Sequence, residues 1–99
     1  MPIYICQIHV NYWDDLVISQ YRVIIKKSRG EAQNEIIKYL HKFYDFSENK
    51  LDCNNENDGL YITIPFDEHE EVTSIEIEGL REIELEKAYS ILYMNALIQ

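Results

Sequence analysis

Ile3-Tyr4-Ile5-Cys6-Gln7-Ile8-His9-Val10-Asn11-Tyr12 is the stretch from which the rest of the chain can be read. Tyr4, Cys6, Ile8, Val10 and Tyr12 recur at period two on one side, and Ile3, Ile5, Gln7, His9 and Asn11 on the other. Successive side chains of a strand point to opposite faces, so this is a β-strand whose first set suits a core. Beyond it, Trp13-Asp14-Asp15 offers a turn, and Leu16 to Lys26 is a second β-rich run with Val17, Tyr21, Val23 and Ile25 on one face. Two such runs about three residues apart predict an antiparallel hairpin.

The period then changes. Ser28-Arg29-Gly30-Glu31 has the form of a capping box, in which Ser and Glu each satisfy a free N–H at a helix start. After it, Ala32, Ile36, Tyr39, Leu40 and Phe43 recur at helical spacing, with Glu35, Lys38, His41 and Lys42 towards the polar side. This predicts an amphipathic helix over 29–44. Residues 45–59 hold four Asn and end on Asp58-Gly59, which is turn chemistry and reads as one long polar loop.

Leu60, Ile62, Ile64 and Phe66 then alternate with Tyr61, Thr63 and Pro65, a third strand. Pro65 cannot donate to a ladder and belongs near a strand end or an edge. The acidic turn 67–71 leads to a fourth strand over 72–78, with Ile75 and Ile77 inward and Ser74, Glu76 and Glu78 outward. Residues 79–88 fit a continued strand or a helix start. Glu, Leu, Lys, Ala and Met favour a helix, and acids in its first turn suit the helix dipole, so 80–99 is read as helix. The resulting ββαββα order predicts a single acidic α+β domain over 1–99. Its expected packing is a four-stranded antiparallel sheet with two helices packed on one face.

Ninety-nine residues suit one domain, but a chain this short covers only about 60–70% of its unfolded surface. The apolar end, Tyr89 to Ile98, then favours a homodimer, formed through that helix or a sheet edge. No apolar run reaches the roughly 18 residues that cross a bilayer, and Met1-Pro2-Ile3-Tyr4 has no basic, signal-like start. Cys6 and Cys53 without such a start are expected to be free thiols in a reducing cytoplasm, of bacterial or viral type.

Charge is distributed unevenly. Residues 1–50 carry net +1 and residues 51–99 net −10, within a total of −9. The imbalance argues against direct binding to nucleic acid or an anionic membrane, both of which demand basic surface, and permits attraction to a basic protein.

Chemistry-bearing motifs are few. Gly30, Gly59 and Gly79 are isolated, so no phosphate-cradling loop is present. Glu68-His69-Glu70-Glu71 offers ligands to a divalent ion, but a site needs about three or four converging groups, so no metal and no cofactor are expected. Cys6 and His9 are three apart on one strand and point to opposite faces, so they form no nucleophile–base pair. Cys53, in an acidic loop, is not activated either.

One feature stands above background: nine of the twenty residues from Asp67 to Glu86 are acidic. Glu76 and Glu78 project to one side, roughly 6.6–6.8 Å apart. The leading expectation is therefore a non-enzymatic interaction protein, an acidic inhibitor or regulator of a basic partner such as a nuclease or other nucleic-acid enzyme. It would act as a nucleic-acid mimic through Asp67, Glu68, Glu70, Glu71, Glu76 and Glu78, with Trp13 and Tyr61 as aromatic anchors. Size, acidity and α+β pattern are shared with nuclease immunity proteins and phage-encoded inhibitors, a likeness of type that rests on no motif. The competing expectations are a small cofactor-free enzyme or ligand-binding domain around the first hairpin, with Gln7, His9 and Arg22 converging, and a purely structural dimerisation domain.

Overall fold

The computed structural model describes residues 1–67 and 70–98, with only the backbone of Leu92 and of residues 94–98. The chain runs β1 (Ile3–Tyr12), β2 (Val17–Ile25), α1 (Arg29–His41), a 3-10 turn (Glu48–Lys50), β3 (Asp52–Glu56), β4 (Gly59–Pro65), β5 (Val72–Ile83) and α2 (Leu85–Ile98). All strand pairs are antiparallel, and the sheet order is β2-β1-β5-β4-β3. The α+β class is therefore as the sequence predicts.

The first hairpin closes as its turn residues dictate. Asp15 N–H donates to the Tyr12 carbonyl (3.2 Å), and Tyr12 N–H donates to the Leu16 carbonyl (2.8 Å). Asp15 takes the left-handed conformation, φ 68°, that a three-residue hairpin loop needs at its last position and that Asp tolerates. The N-cap is also formed, with the Glu31 carboxylate reaching one residue further back than a regular capping box has it. Glu31 N–H donates to Ser28 Oγ (3.2 Å), and the Glu31 carboxylate reaches back to accept from Lys27 N–H (3.1 Å). Ala32, Ile36, Ile37 and Leu40 of α1 are buried, in one cluster with Tyr4, Cys6, Ile8 and Val10 of β1, Ile62 and Ile64 of β4, and Ile75, Ile77 and Leu80 of β5. Burying one such aliphatic side chain contributes about 1.5–3 kcal/mol, so this face holds the main core.

Three expectations are corrected. The sheet has five strands, because Asp52–Glu56, read as loop, pairs with β4 across the Asn57-Asp58 turn. Its five residues are all exposed, so no apolar alternation marks them; backbone pairing with β4 alone makes them a strand. Residues 79–83 are strand, and α2 begins only at Leu85. Gly79 (φ 68°) sits where the pairing of β5 slips against both β1 and β4, the geometry of a bulge. The slip reverses parity. Ile75 and Ile77 face α1 before it, and Leu80 does so after it.

The helices, expected on one face, lie on opposite faces. Ile5 is fully buried, yet it alternates with Tyr4 and Cys6 and stands outside the α1 cluster. Ala88 of α2 is also buried outside that cluster, and α2 packs on β1 and β2. The cause is the second apolar set at the start of β1. Ile3 and Ile5 pair with Ile25 and Val23 of β2, and Ile3 with Ile83 of β5, which makes an apolar floor for α2 on the face away from α1.

Candidate functional site

Because α2 covers only one end of its face, the rest of that face is polar. Gln7, His9 and Asn11 of β1 stand beside Ser19 and Tyr21 of β2 and beside Ser74, Glu76 and Glu78 of β5. His9 is the centre of this group. Its Nε2 lies 2.5 Å from Glu78 Oε2 and its Nδ1 lies 2.6 Å from Ser19 Oγ. With Glu78 ionised, Nε2–H donates to the carboxylate and Nδ1 accepts from the Ser19 hydroxyl. Asn11 donates to Ser74 Oγ (3.1 Å), with Glu76 at 3.5 Å.

The Ser19–His9–Glu78 chain has the residue types of a hydrolytic triad on an open sheet face. Catalysis of that kind also needs N–H donors aimed at the developing oxyanion. β1 has a neighbour on each side, and its N–H groups serve the two ladders in the sheet plane. The hydrogen bonds of His9 to Ser19 and Glu78 tie β2, β1 and β5 together across this face.

The expected convergence of Gln7, His9 and Arg22 does not occur. Arg22 is opposite Cys6 on the other face, and its guanidinium stacks over the Tyr39 ring of α1 at 4.0 Å. There it lines a groove of about 310 Å³ between β2 and α1 with Lys26, Lys38 and Lys42, while Lys26 pairs with Glu35 at 3.8 Å. Four of the seven basic side chains of residues 1–50 are thus gathered beside β2.

The aromatic and acidic residues singled out in the sequence fall into two groups. Tyr61, Glu76 and Glu78 lie on the polar sheet face. Tyr61 donates to Asp58 (2.6 Å), and this hydrogen bond is the main cause that pushes its phenol pKa up to about 12. Glu78 is tied to His9, and the Arg81 guanidinium, which donates to the Gly79 carbonyl (3.0 Å), shares the same shallow depression with Gln7, Tyr61 and Glu78. Glu78 in the carboxylate row is thus held by a hydrogen bond within the molecule.

Trp13, Asp67, Glu70 and Glu71 form the second group, at the pole where the β1–β2 and β4–β5 turns meet. Trp13 N–H donates to the Glu71 carbonyl (3.0 Å), which locks the two turns together and leaves the indole 71% exposed. Asp14 and Asp15 of the first turn join the same pole, and Phe43 and Asp45 line a depression there with Glu70, Glu71 and Phe66. Asp67 lies 3.6 Å from Lys50, whereas Glu70 and Glu71 are exposed and form no ion pair among the described residues. Glu68 and His69 lie outside the described residues, and with them half of the Glu68–Glu71 metal-ligand candidate. Among the described residues no three His, Cys, Asp or Glu side chains are grouped to hold a metal ion.

Asp14 and Asp15 are the members that sequence reasoning missed at this pole. In sequence they are turn formers, and the pairing of Tyr12 with Val72, extended by the Trp13–Glu71 hydrogen bond, brings their turn to the acidic one. No helix among the described residues is long and apolar enough to cross a membrane. No protein-family model, curated protein or solved structure matches the chain.

Proposed function

We propose that the chain is a non-enzymatic interaction protein that binds a basic protein surface through the acidic pole around Trp13. The Trp13–Glu71 backbone hydrogen bond carries this reading. It sets a large, exposed aromatic side chain on a fixed turn among Asp14, Asp15, Glu70 and Glu71, and Trp is among the residues that most often dominate interface energetics. Carboxylates around such an anchor speed encounter with a cationic partner and reject anionic ones. The partner class that fits is a nucleic-acid-processing protein, because its phosphate-binding cleft is a dense cationic surface.

Within the acidic set, the polar face is the weaker contributor, because Glu78 is committed to His9 and Glu76 lies near Asn11. Reversing Glu76 and Glu78 would also break the tie between strands. The sharper test is Glu70→Lys with Glu71→Lys, alongside Trp13→Ala, at positions whose side chains hold no other described element. The tagged protein is incubated with lysate of its native cells and washed at low and then high salt. A specific protein retained at low salt, released at high salt and lost from both variants supports the reading. Retention that is equal in wild type and variants removes it.

A further inference from the structure

We infer that β2 is a self-pairing edge: two copies of the chain join β2 to β2, antiparallel, about a two-fold axis at Tyr21, and their two five-stranded sheets become one. The phase of the first hairpin shows which backbone groups are available. The Tyr12–Leu16 hydrogen bond marks a bonded pair, and bonded pairs alternate along an antiparallel ladder. In β2, Ile18, Gln20, Arg22 and Ile24 therefore turn their N–H and C=O groups to β1, opposite Val10, Ile8, Cys6 and Tyr4. Val17, Ser19, Tyr21, Val23 and Ile25 turn theirs outward, where β2 has no neighbour in the sheet among the described residues.

The two edges of this sheet differ. Natural edge strands discourage pairing by being short or by carrying charge. The opposite edge, β3, follows that rule, being a five-residue strand that begins with Asp52 and ends with Glu56. β2 does not. It is nine residues long, Arg22 is its only charge, and Val17, Ile18, Tyr21 and Ile25 are exposed by 51%, 51%, 39% and 58%.

The sequence of β2, Val-Ile-Ser-Gln-Tyr-Arg-Val-Ile-Ile, is close to a palindrome in chemical character about Tyr21, with Ser19 and Val23 the one mixed pair. With the axis there, Val17 of one copy faces Ile25 of the other, Ile18 faces Ile24, Ser19 faces Val23, and Gln20 faces Arg22. Apolar pairs close both ends of the ladder on both faces, and no like charges meet. Moving the axis to Gln20 sets Ile18 against Arg22, and moving it to Arg22 sets Gln20 against Ile24, each with a shorter ladder. The Tyr21 axis brings all five outward-facing residues into bonded pairs. These exchange about ten backbone hydrogen bonds, the number found in a typical protein interface.

Charge permits the same arrangement. Of the net −10 of residues 51–99, −9 belongs to residues 51–83, the strands and turns beyond β1, and −1 to residues 84–99, which include α2, whereas residues 1–50, which form the β2 edge and its neighbours, carry net +1. Two copies therefore meet through their least repulsive sides, and the acidic poles stay free. The occupant is a second copy of the chain, and the inference stands apart from the binding reading above.

Sedimentation equilibrium of the purified chain tests it, with the dimer at twice 11.8 kDa. Tyr21→Pro removes an outward N–H while sparing the β1 ladder, and Tyr21→Lys sets two ammonium groups opposite each other at the axis. Both variants are expected to sediment as monomers at concentrations where the wild type is a dimer, with circular dichroism showing the fold retained. If Tyr21→Pro does not fold, Tyr21→Lys decides. A third variant, Tyr21→Cys in a Cys53→Ser background, is expected to form a disulfide-linked dimer on mild oxidation, since bonded antiparallel partners lie about 5.5 Å apart at Cα, within disulfide reach. A monomeric wild type, or a dimer unchanged in Tyr21→Lys, overturns the proposal.

Discussion

The Cys6 thiol lies under α1, 1% exposed, and burial pushes its pKa up to about 12 even though Arg22 and Arg81 pull the other way. Cys53, the same side chain on β3, stands in solvent. Thiolate is the reactive form, so a maleimide is expected to label Cys53 alone in the native protein and Cys6 only after denaturation, as mass spectrometry would show. Two labels under native conditions would contradict the placement of β1. Tyr61 offers a second check. Its hydrogen bond to Asp58 raises the phenol from 10.0 to about 12, which means the fold favours the neutral form. That contribution is complete below pH 10 and fades as pH climbs through about 12. Asp58→Asn should return the Tyr61 titration towards 10.0, followed by phenolate absorbance. The burial of Cys6 and its separation from His9 are legible in the period-two pattern of residues 3–12. The His9–Ser19–Glu78 tie is not. Partners across strands depend on register, and the register of Glu78 against β1 is set by the Gly79 bulge, which no local pattern announces.

Elements differ in how far their own residues define them. α1 carries its start signal in Ser28 and Glu31 and its packing face in Ala32, Ile36 and Leu40, so its position could be read directly, although it stops at His41 rather than at 44. Ser28→Ala is expected to cost about 1 kcal/mol in a urea unfolding series, the usual worth of an N-cap. β3 lacks any such signal, because an exposed edge strand of Asp, Cys, Asn and Glu takes its conformation from its neighbour. That neighbour starts at Gly59, where φ is 132° and a Cβ would stand 2.7 Å from the Gly79 carbonyl carbon and 2.8 Å from the Leu80 oxygen. Gly59→Ala therefore strains the backbone and forces β4 away from the bulge in β5. A loss on the order of 1–3 kcal/mol is expected. A variant with an unchanged urea midpoint would show that this close approach does not hold in solution.

At the scale of the molecule, the hydrophobic pattern predicts the core under α1 well, from Cys6, Ile8 and Val10 to Ile62, Ile64, Ile75 and Ile77. It is less informative about the opposite face, because Ile3 and Ile5 look like the ordinary fringe of a strand until Val23, Ile25 and Ile83 are set beside them. The candidate site was half legible for the same reason. Acidic residues are visible in sequence, but the meeting of the Trp13 turn with the Glu71 turn is a property of the sheet. Leu40→Ala, which empties a site fully enclosed between α1 and the sheet, should cost about 2–5 kcal/mol and lower the thermal midpoint accordingly. The sheet order also governs when the chain can fold during synthesis. β1 is made well before its second partner, β5, so the central ladder cannot close while the ribosome is still adding residues before 72. Until then the nascent chain has a hairpin and a helix with no strand to fill the middle of the sheet, and Ile5, Ile8 and Val10 remain open to water. Closure of so long-range a ladder slows folding, a consequence that arises from chain order alone.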